Sequence, residues 1–169
     1  MDALDCLMTR RAIRTFTNAP VDPQLVQTAL AAAMSAPSAG NAQPWHFVLL
    51  TDRAILDRIP EFHQYAAMAR QAQAGILVCA EPGLEKYPGY WPLDCAAAAQ
   101  NLLLALHAQG LGAVWVGVYP DQSRVENFRR LLGIPESVVP HCFIPLGHPD
   151  MPSGRVDRFR PERVHQNGW

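Results

Sequence analysis

Read from the amino terminus, the apolar positions of this chain change period several times, and each change marks an element. Leu4, Leu7 and Met8 fall on one face of a helix over about residues 2–10. The run "VDPQLVQTALAAAMSA" is a second helix. Leu25, Val26, Ala29, Leu30 and Ala33 form its apolar stripe, Asp22 is its N-cap, and Pro23 stands at the first helical position. "WHFVLL" (45–50) reads as a strand. Asp52 caps a third helix reaching about residue 58, and "EFHQYAAMARQAQA" reads as a further helical piece. "GILVCA" is the second strand, and "EPGLEKYPGYWP" is a loop long enough to serve as a mobile lid. The helix "PLDCAAAAQNLLLALHAQG" is apolar nearly all round, opens with Asp94 as a cap and closes at Gly110. Its alanine run admits another backbone closely, which suits burial between subunits. "AVWVGVYP" is the third strand. "SRVENFRRLLG" carries a capping box, Ser123 with Glu126, and stops at Gly133. "HCFIPLGHP" is the fourth strand, and the polar, arginine-rich tail beyond it has no core of its own.

The alternation of helices with few strands predicts an α/β sandwich around a small central sheet, in one domain. Hydrophobic residues make up 49% and charged ones 17%. The low charged fraction leaves room for a second buried face such as a subunit interface. A net charge of −1 offers no basic field for nucleic acid. The longest apolar helix carries Asp94, Gln100, Asn101, His107 and Gln109, which argues against a membrane span. The start "MDALDCLMTRR" is too short and too acidic for a signal peptide. Cys6, Cys79, Cys95 and Cys142 show no CxxC and no zinc spacing, so they read as buried thiols of a reducing cytosol.

Four segments carry candidate chemistry. In "TRRAIRTF", Arg10 and Arg14 are four apart and would share a face on a continuing helix, where they clamp an anion or merely complement the helix end. "PSAGNAQPW" sets Ser38, Asn41 and Gln43 beside Gly40 and Trp45, a donor-and-acceptor loop or a plain turn. In "WVGVYP", Gly117 weakens a strand unless a flat ligand or a bulge needs the space. Arg155 and Arg158 add cations in the tail. No GxGxxG or Walker loop is present, nor any Ser/His/Asp or paired-carboxylate constellation. His46 and His107 read as structural.

In order along the chain, "RRAIRTF", "APSAGNAQPWHFVLL", "DCAAAAQNLLLALHAQGLGAVWVGVYP", "FIPLGHP" and "RFRPERVHQNGW" resemble the FMN-dependent nitroreductase family in its short form. The resemblance implies an α+β fold, a three-layer sandwich with a central, mainly antiparallel sheet flanked by helices, built as an intertwined homodimer. Residues 150–169 would be a C-terminal extension onto the partner subunit. It implies FMN as cofactor, with Arg10, Arg11 and Arg155 or Arg158 at the phosphate and Arg14 near the pyrimidine end of the ring. Pro37, Ser38, Ala39, Asn41 and Gln43 would line the ring from the other subunit. Val116 and Gly117 would lie against it near N5, and residues 88–91 would cover the substrate side. The family usually holds a small hydroxyl residue where this chain has Ala12, so one cofactor hydrogen bond is expected to be missing.

The implied activity is ping-pong hydride transfer through flavin N5, from NADH or NADPH to a small nitroaromatic or quinone-type acceptor, in the cytoplasm. No nucleic acid, membrane or metal is implied. The alternatives are a flavin-binding storage or sensor protein, a dehalogenase or flavin-fragmenting relative on the same fold, and an anion-binding dimer without flavin.

Overall fold

The computed structural model describes residues 1–151 and 154–169. Its elements run α1 (Ala3–Thr9), α2 (Pro23–Met34), β1 (Trp45–Leu50), α3 (Arg53–Phe62), β2 (Ala74–Ala80), α4 (Trp91–Ala108), β3 (Gly112–Ala113), β4 (Val116–Gly117), α5 (Gln122–Leu132) and β5 (Val139–Gly147). The sheet has the order β1-β2-β5-β3, with β4 also on β5, and every ladder is antiparallel. β3 and β4 follow one another along the same edge of β5, opposite Leu146–Gly147 and Cys142–Phe143 respectively.

Both faces of the sheet are apolar, which is why β2 is buried at every residue. Ile76, Val78, Ala80, Cys142, Ile144 and Leu146 point to one side and pack under α2 and α4. Leu77, Cys79 and Phe143 point to the other and meet α3, α5 and the segment between α3 and β2. The result is the expected α+β three-layer sandwich with a mainly antiparallel sheet.

Several boundaries differ from expectation. The stretch 61–74 is not a helix. α3 continues through Pro60 to Phe62, its C-cap His63 turns extended, and only a 3-10 turn (Ala67–Arg70) precedes β2. "AVWVGVYP" forms two short strands rather than one. α5 is capped by Asp121, whose carboxylate accepts from Arg124 N at 3.2 Å, not by a Ser123–Glu126 box. α1 buries only Cys6, leaving Leu4 and Leu7 exposed. The described tail residues 154–169 are all exposed in the single chain. Pro152 and Ser153, within the expected extension 150–169, lie outside the described residues. Among the described residues, no helix is long and apolar enough to cross a membrane.

Gly75 sits where β2 passes the Phe143 ring, and a Cβ there would lie 2.5 Å from Phe143 Cε2. Gly75→Ala is expected to lower stability by about 1–3 kcal/mol through overpacking. Gly117→Ala, where a Cβ meets nothing within 4 Å, should stay within about 0.5 kcal/mol of the parent. Urea unfolding of the two variants separates these outcomes, and equal losses would contradict the packing described.

Candidate functional site

α1 ends at Thr9, and Arg10 turns extended with ψ 131°. Ala12 then bridges to Ala113, and Ile13 N donates to Ala113 O at 3.0 Å. Arg10 and Arg14 therefore do not share a helix face, because the chain has become a short edge partner of β3. Arg10 and Arg11 instead line a cavity of about 310 Å³ together with Arg158 and Phe159. Arg11 Nη1 donates to Arg10 O at 2.7 Å, while its Nε and Nη2 are buried without a partner among the described residues. Burial holds the Arg10 guanidinium below its ordinary value, and the charges of Arg11 and Arg158 push it the same way. No ion pair among the described residues involves these three arginines. Three cations gathered without a carboxylate supply the charge and the donors that binding an anion requires. Arg155 lies outside this group; its charge acts on Asp5 of α1, whose carboxyl is raised chiefly by its hydrogen bond with Asp2.

Arg14 faces a separate cavity of about 480 Å³, lined also by Tyr65, Met68, Trp115, Val116 and Gly117. The missing side chain of Gly117 opens onto empty space. Its carbonyl accepts from His63 Nε2 at 2.8 Å and from Arg124 Nη1 at 3.1 Å. Tyr65 N donates to His63 Nδ1 at 3.3 Å, which leaves the proton on Nε2. Burial lowers the His63 pKa, so the neutral ring is the resting form. Arg124 is paired with Asp121 at 3.1 Å and lies over the Tyr65 ring at 5.4 Å. His63 and Arg124 thus fix both the floor and one wall of the cavity. Sequence reasoning missed both, since the His63–Gly117 contact joins residues 54 apart and no local pattern reports it.

The loop after α2 holds Gly40, Asn41 and Gln43 at positive φ of 60°, 58° and 50°. Gln43 N donates to Ser38 Oγ at 3.0 Å, and Gln43 Nε2 to Asn41 Oδ1 at 3.1 Å. Ala39 N donates to Asp94 Oδ1 at 2.9 Å, and Pro37 is exposed. Asp94 is therefore not the cap of α4, as expected from its position near the helix start. This loop lines neither arginine cavity within one chain.

Behind Trp115, the buried His141 ring lies among Trp115, Trp91 and Tyr119, at centroid distances of 5.4, 6.1 and 6.5 Å. Burial pushes its pKa down to about 4 against a small opposing effect from the Pro92 backbone. Its Nδ1 is buried without a partner among the described residues. All four cysteines are free and buried; burial pushes the Cys79 and Cys95 thiols up to about 12. His107 bonds Thr9 Oγ1 at 2.8 Å and His46 bonds Glu81 at 3.0 Å, and neither lines the two cavities.

A sequence model of the nitroreductase family matches residues 7–148, and the chain belongs to that family. A protein of Methanothermobacter thermautotrophicus, provisionally named an NADH dehydrogenase/NAD(P)H nitroreductase, is 48% identical over 169 residues, covering 100% of this chain and 88% of its own. The crystal structure of a similarly named protein of Bacteroides thetaiotaomicron superposes with a TM-score of 0.95 at 40% identity, covering 99% of this chain and 98% of that one. A provisionally named nitroreductase from Desulfovibrio desulfuricans, solved in complex with FMN, gives a TM-score of 0.84 at 28% identity, covering 100% and 99% of the two chains.

His141 carries the pH prediction. Its ordinary pKa of 6.5 falls to about 4 in the fold. Between those values the unfolded chain binds a proton that the folded chain refuses. Its contribution is whole above about pH 6.5 and declines as pH falls toward 4, by up to about 3 kcal/mol. His141→Phe should flatten that decline in urea titrations between pH 7 and 4.5. An unchanged slope would remove His141 as its source.

Proposed function

We propose that this protein is an FMN-dependent NAD(P)H oxidoreductase that reduces nitroaromatic or quinone-type acceptors. The observation that carries the reading is the arginine cluster of Arg10, Arg11 and Arg158. It lacks a carboxylate partner among the described residues and leaves buried Arg11 nitrogens without an acceptor. A phosphate dianion supplies the missing acceptors and charge. The second cavity offers what a flat ring needs, a strand without a side chain at Gly117 and a cation at Arg14.

Bound FMN would supply the redox chemistry, two-electron transfer between a nicotinamide and an acceptor that use the same site in turn. The chain's own residues bind and orient. Arg10, Arg11 and Arg158 hold the phosphate, and Arg155 is the remaining tail candidate. Arg14 favours negative charge at its end of the ring cavity. Val116 and Gly117 present backbone to the ring, with the Gly117 carbonyl held by His63 and Arg124. No side chain needs to act as acid or base.

In this reading the protein is a homodimer. Pro37, Ser38, Ala39, Asn41 and Gln43 enter the partner's site, and residues 150–169 lie over the partner. Supporting this are the exposed Leu4, Leu7 and Leu93 on α1 and α4, and Phe159 and Trp169 on a tail whose described residues are all exposed in one chain.

The test is an anaerobic visible spectrum of FMN-reconstituted protein before and after NADH or NADPH. Bleaching of the bound flavin, followed by reoxidation with a quinone or nitroaromatic, is expected. Flavin that binds but stays oxidised with both nucleotides would leave a binder without this turnover. Arg10→Ala should weaken FMN by about tenfold or more, the size of a lost charged hydrogen bond. Arg14→Gln should retain FMN and slow the bleaching.

A further inference from the structure

α4 begins with an accounting problem. A helix leaves its first N–H groups without internal partners. Tyr90, its N-cap, supplies no side-chain bond. Pro92 has no N–H to satisfy, and Leu93 N bonds Tyr90 O at 2.9 Å. The remaining donors belong to Glu85, five and six residues upstream. Its carboxylate accepts from Gly89 N at 3.0 Å on both oxygens, and from Tyr90 N and Trp91 N at 3.1 Å. One side chain thereby folds residues 85–91 onto the helix start.

With α4 capped from Glu85, Asp94 is left to bond elsewhere. It is buried, at 5% exposure, and reaches across 55 residues to Ala39 N. Two further contacts join the same two stretches. Glu81 N donates to Pro44 O at 2.8 Å. Gly40 is covered so closely that a Cβ would lie 2.5 Å from Lys86 Cδ and 3.0 Å from Tyr87 Cε2. Loop 38–43 therefore meets segment 81–94 at Ala39 and Gly40, and Pro44 just beyond it extends the β1–β2 pairing to Glu81. A segment that looks like a mobile lid by length is held at Glu81, at Lys86 and Tyr87, and at Asp94, and is folded on itself by Glu85 between them.

We propose that Glu85 and Asp94 are positioning residues that lock loop 38–43 and segment 81–94 into one preformed body. On the functional reading above, this body is a fixed wall of the flavin and acceptor site, not a lid that opens and shuts. Asp94 sets the loop that carries Ser38, Asn41 and Gln43. Glu85 sets the turn that displays Tyr87 and Tyr90, whose rings meet at 6.3 Å and are half exposed. Tyr87 and Tyr90 are then held in place for a planar acceptor before it arrives.

Amide hydrogen exchange on the full chain, with and without FMN, tests the proposal. Asp94→Ala should speed exchange at 38–43 by about tenfold or more, as expected for loss of a bond to a buried carboxylate. Asp94→Asn keeps an oxygen for Ala39 N and should stay within about threefold of the parent. Glu85→Ala should loosen 89–91 and, through Lys86 and Tyr87, also 38–43. FMN titration should follow the same order, with Asp94→Ala weakened about as much as its exchange is raised and Asp94→Asn near the parent. The KM for the acceptor should rise in Glu85→Ala more than kcat falls. Two results would overturn the proposal: Glu85→Ala loosening 89–91 alone or nothing at all, or Asp94→Asn behaving like Asp94→Ala. A parent protein that binds no FMN would defeat the functional reading, while the exchange data would still decide whether the two stretches form one body.

Discussion

Strand β5 is the member on which the rest depends. β2, β3 and β4 all pair with it, and β1 reaches the sheet only through β2. Its faces alternate between the two apolar layers, with Ile144 and Leu146 on one side and Phe143 on the other. Because both layers grip it, its position is set by packing from above and below as well as by its ladders. That matters for function because β4, the strand bearing Gly117, is only two residues long. A strand so short has little stability of its own. It is placed by Cys142 and Phe143 opposite it and by His63 and Arg124 at its carbonyl.

Where local chemistry decided the structure, the sequence was legible. Asp22 and Pro23 start α2, Asp52 caps α3, and Gly133 ends α5 in the left-handed conformation, each for the reason its residue type supplies. β1 and β2 likewise follow from their apolar, β-branched runs. The larger misreading involves a distant partner, and the cap of α5 is a local competition. Residues 61–74 are rich in alanine and glutamine and favour helix locally. The chain leaves the helix at His63, whose ring bonds Gly117 O from the far side of the molecule. Asp121 and Ser123 are both good caps by type; Asp121 holds the position, and its second oxygen also pairs with Arg124.

The candidate site was legible as a set of residues and not as an arrangement. The arginines and the glycine loop stood out by composition and motif. Their grouping did not. Arg10 and Arg14 fall in different cavities because α1 is short and Ala12 pairs with Ala113. Within loop 38–43, Ser38 Oγ accepts from Gln43 N and Asn41 Oδ1 accepts from Gln43 Nε2. Asp94, His63 and Arg124 act over separations that no window of sequence spans, except that Arg124 also sits near Gly117 in the chain. A helix-start aspartate looks the same whether it caps its own helix or a remote loop. What separates the two is that α4 begins at Trp91, three residues before Asp94, and that its first free donors go to Glu85.

The arginine cluster shows why such an arrangement persists in a chain with few charges. Gathering Arg10, Arg11 and Arg158 in a partly dry cavity sets like charges against one another and strips Arg11 of water at two nitrogens. Each effect works against folding of the free chain. A buried ion pair would relieve it, and the protein has carboxylates to spare at Asp2, Asp5 and Asp157. Asp2 and Asp5 bond each other, and Asp157 bonds the Phe159 backbone, leaving the guanidinium groups unclaimed. An anion that binds the folded chain and not the unfolded one returns the lost stability in proportion to the logarithm of its concentration over its dissociation constant. The strain and the affinity are then the same interaction seen with and without ligand. Neutralising the cluster would steady the free chain and weaken what it holds.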